Sequence, residues 1–396
     1  MLTDERKAYT IALCQSLIQK KSYSGKETEA AEVVKEAFNK LGYDDVIVDL
    51  YGNVMGVLKG KQEGPRLLLD GHIDTVPVKE DNWTIDPFGG EIRDGRIYGR
   101  GTSDMKGAVS AMISAAAYFA QDRSKDFSGS IVVSCSVHEE CFEGIAPRKV
   151  SDRMQPDYVI IGESSSLQLK RGQRGRAEIV VETFGKPAHS SNPEKGVNAV
   201  YQMMKLIQHI QTLPLSNHPV LGKGILELTD MKSEPYPGAS VVPHYCKATF
   251  DRRTLVGETR ESVLAPIEEL IATLEKEDPT FHAAVSFAKG KELCYTGAEI
   301  EAERFFPAWL MEDEDPFVQA ALQGLKLSGL QPSLTHYAFC TNGSHYAGEA
   351  GIPTIGFGPS EESLAHTDDE YIETEQLAAA TLGYYGIMEA LFKGFN

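Results

Sequence analysis

The sequence predicts an α/β chain: a mostly parallel mixed sheet flanked by helices and interrupted by a smaller βαββαβ insert. Three observations predict it. Over roughly the first 160 residues, apolar strand-like runs alternate with stretches of helical periodicity, the pattern of a largely parallel sheet. From Glu178 to Phe287 the order becomes strand, helix, strand, strand, helix, strand. The α/β alternation then resumes. A chain of 396 residues has room for both domains and their cores.

Element by element, Ser24-Gly-Lys-Glu27 matches a capping box. It opens a helix with Ala30, Val33, Val34, Phe38 and Leu41 on one face and Gly42 as its stop. Strand-like runs follow at 45–50, 53–58 and 66–70. EIRDGRIY at 91–98 has a DG turn between short β segments and reads as a hairpin. An alanine-rich helix spans 105–120, then the apolar runs SIVVSCSV at 130–137 and DYVIIGE at 157–163. The insert reads as the strand AEIVVETFG, a helix at 198–211, strands at 224–230 and 245–251, a helix at 260–275 and a strand at 281–287. That order is ferredoxin-like. A helix from 315, the strand PTIGFG at 353–358 and a helix from 374 complete the first domain. The expected boundaries are 1–177, 178–290 and 291–396.

The chain carries 39 basic and 57 acidic side chains, a formal charge of −18. Such a balance argues against nucleic acid or an anionic membrane as partner. The N-terminus lacks a basic region followed by an apolar run, so no signal peptide is expected. The apolar stretch 108–120 is too short to span a bilayer, which takes about 20 residues. Six scattered cysteines without a CxxC pair read as reduced thiols, and the expected location is cytoplasmic.

Chemistry concentrates where apolar runs end. LLLDGHIDTVP delivers His72 and Asp74, two residues apart and so on one side of a strand. Alone, this is a surface pair or a buried histidine with its hydrogen bonds met. GRGTSDMKG places Asp104 before the alanine-rich helix, where an N-cap is the plain alternative; without GK[ST] it is no phosphate loop. SIVVSCSVHEE ends in Glu139 and Glu140, DYVIIGE in Glu163, and PTIGFGPSEESLAHTDDE brings His366. Each alone fits a solvated turn. Together they send two histidines and several carboxylates to one sheet edge, where open α/β sheets bind ligands. Imidazole and carboxylate without cysteine suit Zn²⁺ or another borderline divalent ion, and the number of carboxylates points to two ions sharing a ligand.

These five motifs, in this order and with the insert, resemble the dinuclear zinc exopeptidase and deacylase family. It includes acetylornithine deacetylase, succinyl-diaminopimelate desuccinylase, aminoacylase and glutamate carboxypeptidase. The resemblance implies a catalytic α/β domain with a ferredoxin-like lid and dimerisation domain, two Zn²⁺ (Co²⁺ or Mn²⁺ as alternatives) and a homodimer formed through the lid. It implies His72, Asp104, Glu140, Glu163 and His366 as metal ligands, with Asp104 bridging. Asp74 would orient His72, and Glu139 would be the general base. In the lid, His189 of KPAHSSNPEKGVNA would steady an oxyanion and Arg253 of DRRT would grip a substrate carboxylate.

Two positions depart from the family pattern. GASVVP holds Ser240 where relatives often have asparagine, and CTNGSHY holds Asn342 where they often have aspartate. Both touch substrate recognition, so Asn342 is a candidate substrate contact. KRGQRGRAEI packs Lys170, Arg171, Arg174 and Arg176 at the entry to the insert, either an anion-recognising wall with Arg174 in it or a hinge with solvated charges. RGQRGR, DRRT and TNG resemble a subgroup of hydrolases linked by genomic context to selenium-dependent purine breakdown, which makes a ureido or carbamoyl amino acid a candidate substrate. The expected activity is hydrolysis of the amide bond of a small N-acyl or N-carbamoyl amino acid by metal-activated water. The alternatives are a dipeptidase or aminopeptidase on the same scaffold, or a non-catalytic metal-dependent binding protein.

Overall fold

A computed structural model describes residues 2–394. The chain divides into two compact units, one of Met1–Gln173, Lys291–Glu301 and Trp309–Asn396, the other of Arg174–Gly290 and Ala302–Ala308. Among the described residues no helix is long and apolar enough to cross a membrane.

The first unit is built on a mixed sheet. Its strands lie in the order Asp45–Val48, Val54–Lys59, Ser128–Ser136, Gln62–His72, Tyr158–Ile161, Thr354–Gly356, Leu169–Gln173 and Trp309–Leu310, and Leu334–Tyr337 also pairs with Leu169–Gln173. The strands ending near His72, Ser136 and Ile161 are central and run parallel. Their carboxyl ends therefore open on one edge. Below that edge Met55, Leu68, Val132, Val159 and Ile161 form an apolar core. In the helix Gly107–Asp122 every residue from Gly107 to Ala120 is buried. Its alanines let it sit close to the sheet, and two glycines let it sit closer still: a Cβ at Gly71 or at Gly162 would stand 2.7 Å from Met112 Cε. These glycines immediately precede His72 and Glu163.

One local expectation is corrected, one alternative falls away, and one strand is added to the sequence reading. The second helix, Thr28–Leu41, starts without a capping box. Ser24 Oγ donates instead to Asp74 Oδ2 at 2.7 Å, because the neighbouring strand end offers a charged acceptor. Asp104 is no N-cap: the helix begins at Gly107 with Lys106 as its cap residue. Leu169–Gln173 is a strand although its LKRGQ sequence lacks strand character; Lys170 and Gln173 bury their polar ends in specific bonds. The DG hairpin is present, with Asp94 and Gly95 both left-handed as a two-residue turn requires.

The second unit is an antiparallel sheet in the order Ile225–Glu234, Tyr245–Thr254, Gly175–Phe184 and Ala283–Phe287, and Phe305–Phe306 also pairs with Gly175–Phe184. With the helices Ala199–Ile210 and Arg260–Glu277 it completes the βαββαβ order. Ile179, Val181, Met203, Leu206, Phe250, Ile267 and Ile271 fill its core. Asn198 caps the first helix, and Thr259 with Ser262 forms a capping box on the second.

Candidate metal centre

The carboxyl ends of the first unit's strands bring five sequence-predicted residues together. His72 Nε2 lies 2.9 Å from Asp104 Oδ1 and 3.5 Å from Glu163 Oε1. His366 Nε2 lies 3.2 Å from Asp104 Oδ2 and 2.9 Å from Glu140 Oε2. Two ligand groups result, His72–Asp104–Glu163 and Asp104–Glu140–His366, each with its ligand atoms within 4.8 Å of one another. Asp104 belongs to both, one oxygen toward each histidine. Three donors of imidazole and carboxylate type per group fit a borderline divalent cation, and the shared carboxylate fits a pair.

The electrostatics agree with that fit. Burial opposes the charge on Asp104, yet hydrogen bonds to His366 and His72 hold its carboxyl well below the usual range. The Asp104 and Glu140 carboxylates push His366 up to about 10. Burial would lower His72, but Asp104 and Glu163 raise it well above the ordinary histidine value. The clustered carboxylates demand positive charge, and in the protein alone protons on the two imidazoles supply it. A cation competes with those protons for the same lone pairs.

Glu139 is buried and belongs to neither ligand group, with Oε2 3.9 Å from His72 Nε2. Burial, helped by Glu163, Glu140 and Glu143, pushes its carboxyl well above the usual range. A carboxyl raised toward neutrality can take and return a proton.

Asp74 meets His72 more closely through its backbone carbonyl than through its carboxylate. His72 Nδ1 lies 2.9 Å from the Asp74 backbone carbonyl and 3.6 Å from its carboxylate, so the carbonyl orients the imidazole. The carboxylate accepts from the backbone N–H of Glu139 (3.1 Å) and Glu140 (3.2 Å) and from Ser24 Oγ. It fixes the backbone of the turn that carries the two glutamates.

Asn342 is not placed to contact substrate. It is buried, its amide donates to Asp70 Oδ2 and Ser136 Oγ at 2.9 Å each, and its oxygen accepts from Gly144 N–H. Both amide hydrogens are engaged in holding the strand ends. Asn342→Ala leaves a buried carboxylate short of a donor and costs about 3 kcal/mol, read as a lower urea midpoint at unchanged slope. The basic run is no uncompensated wall: Lys170 pairs with Glu362, Arg171 with Asp313 and Arg176 with Asp251.

His189, Arg174 and Arg253 belong to the second unit. His189 is exposed, and its Nδ1 accepts from the Ser191 N–H at 3.1 Å, which assigns the ring proton to Nε2. Arg253 Nε pairs with Asp251 Oδ1 at 2.8 Å, and Arg174 donates to the Lys223 carbonyl at 3.3 Å. Sequence reasoning missed Glu370, whose buried carboxylate receives the backbone around Asp104; its only signal was its place four residues after His366.

Comparison with known proteins gives the chain's relatives and the fold it shares. The model of peptidase family M20/M25/M40 matches residues 68–390. The uncharacterized protein YgeY of Escherichia coli K12 is 33% identical over 373 residues, covering 92% of this chain and 90% of that protein. A succinyl-diaminopimelate desuccinylase of Methylobacterium radiotolerans is 28% identical, covering 97% of each chain. The fold is shared with YXEP of Bacillus subtilis, described as a dinuclear metal binding peptidase, at a TM-score of 0.74 and 14% identity over 99% of both chains.

Proposed function

The chain belongs to peptidase family M20/M25/M40, and we propose that it is a two-cation amidohydrolase cleaving the amide bond of a small N-acyl or N-carbamoyl amino acid. As a family member it is a metal-dependent hydrolase of the peptidase and deacylase kind. One observation supports the two-cation reading: Asp104 is shared between two ligand groups, and Glu139 lies buried beside them in neither. His72, Asp104 and Glu163 would hold one cation; Asp104, Glu140 and His366 the other. Zinc is the expected ion, with cobalt or manganese as substitutes. When bound, the cations polarise the scissile carbonyl and acidify water to the neutral range.

The protein's own part is proton transfer and positioning. Glu139 takes the proton of the attacking water and returns it to the leaving amine. Asp74 keeps Glu139 and Glu140 apart through their backbone N–H groups. By resemblance His189 would be the donor to an oxyanion, and Arg253 and Arg174 would offer positive charge to a substrate carboxylate.

The test is amine release by the zinc-loaded protein from N-acetyl, N-succinyl and N-carbamoyl amino acids and from dipeptides. Turnover of an N-acyl or N-carbamoyl compound bears the proposal out. Turnover of dipeptides alone moves it to a dipeptidase, and none, with two zinc ions bound, to a binding protein.

The second unit supports a homodimer. Tyr201 and Met204 on the helix Ala199–Ile210 are 70% and 50% exposed, and Met231 on the edge strand Ile225–Glu234 is 46% exposed. Apolar side chains beside a strand edge need cover. Sedimentation should give twice the chain mass, and Tyr201→Glu with Met204→Glu should give the single chain.

A further inference from the structure

The loop that carries Asp104 is held by a carboxylate that none of the site's chemistry uses. Glu370 is fully buried. Its Oε1 accepts from the Ser103 N–H at 2.7 Å and from the Gly101 and Asp104 N–H groups at 3.1 Å each. Its Oε2 accepts from Arg100 Nη1 at 2.6 Å and again from the Gly101 N–H at 3.2 Å. Backbone N–H groups turned inward by a tight loop make a concave seat for an anion, and here a side chain of the same protein fills it. Gly101 contributes the left-handed backbone (φ 91°) that turns the seat inward.

Other bonds hold the loop from its sides. Ser164 Oγ donates to the Ser103 carbonyl at 2.8 Å, beside Glu163. Lys106, also buried, donates to the carbonyls of Leu17 and Lys20 at the end of the helix Asp4–Ile18. Glu370 differs from these in two ways: it bonds the N–H of Asp104 itself, and it shares a segment with a histidine of the site. It lies four positions after His366, so one segment supplies a donor to the second ligand group and seats the residue common to both.

We propose that Glu370 is a positioning residue that sets the two-cation geometry by fixing the backbone of Asp104. The proposal rests on the two-cation reading above. Without the Glu370 carboxylate the N–H groups of 101, 103 and 104 lose their common acceptor, the loop turns, and the Asp104 oxygens no longer face both histidines. The group that suffers first is the one completed by His366, whose side chain is 52% exposed where that of His72 is 1% exposed. Outer groups that orient metal ligands are typically worth about 10–100-fold in metal affinity.

The experiment is zinc titration of the chelator-treated full chain by calorimetry, with cobalt(II) absorption as a second readout. Wild type, Glu370→Gln, Glu370→Asp and Arg100→Lys are compared, and each is checked for folding by its melting temperature. Arg100→Lys disturbs the buried ion pair but leaves the Glu370 carboxylate on the backbone. Expected are two zinc equivalents in wild type and in Arg100→Lys. In Glu370→Gln a second equivalent weakened about 10–100-fold is expected, with an altered cobalt spectrum and partial recovery in Glu370→Asp. A folded Glu370→Gln that binds both ions at wild-type affinity overturns the proposal. So does an Arg100→Lys that loses the second ion to the same degree, because the effect would then be general loosening. If Glu370→Gln does not fold, Glu370→Asp decides on the same criterion. Wild type binding fewer than two equivalents overturns the two-cation reading and this proposal together.

Discussion

Glu139→Gln should lower kcat by about 10²–10⁴-fold, the usual contribution of a positioned acid–base group, while both cations stay bound. The residue lies in neither ligand group, so its exchange removes no metal ligand. Nor should the fold suffer. Glu139 is buried among Glu163, Glu140 and Glu143, and burial with these like charges already disfavours its ionised form. A neutral amide of the same shape relieves that repulsion, so the melting temperature should hold or rise. Three measurements separate the outcomes: turnover, zinc content and thermal unfolding. Retained turnover would remove Glu139 as the base. Lost turnover together with lost zinc would reassign it as a ligand.

Asp104→Asn should act on binding and stability together. Its carboxylate serves both ligand groups, so zinc content should fall from two ions to below one per chain, and turnover should disappear. A bound ligand present at 100 times its dissociation constant stabilises a fold by about 2.7 kcal/mol. Wild type should therefore unfold at a clearly higher temperature with zinc than with a chelator, and the variant should show little difference. The sign of the pH dependence comes from the histidines. His72 and His366 are both raised, the latter to about 10, so each cation must displace a proton. Zinc affinity should weaken as pH falls and proton release should accompany binding, both measurable by titration in buffers of different ionisation enthalpy. Affinity independent of pH would mean that the histidines are not ligands.

Much of the candidate site was legible because parallel strands end on one side. LLLDGH, SIVVSCSV and DYVIIG are apolar enough to be buried strands, and the residues at their carboxyl ends must emerge at a common edge. His72, Glu139, Glu140 and Glu163 were found that way, and Asp104 and His366 by the loops that return to the same edge. Asn342 was not legible. Its partners Asp70 and Ser136 lie 272 and 206 residues away in the chain, and no spacing rule reaches that far. Ser24 looked like a helix cap because a cap is the local use of a serine before Glu27; a carboxylate 50 residues on draws its hydroxyl away.

The sequence by itself determined the α/β layout, the inserted βαββαβ unit and the residue types offered at the sheet edge. These depend on periodicity and on donor chemistry, which are local properties. The tertiary structure alone decided which groups bond to which. It split Asp104 between two histidines, gave the Asp74 carboxylate to the Glu139–Glu140 backbone, buried Asn342 as a tie between strands and seated the Asp104 loop on Glu370. The physical reason is that a buried polar group must find a partner wherever the fold provides one, and that choice is settled by proximity in space between residues the chain keeps far apart.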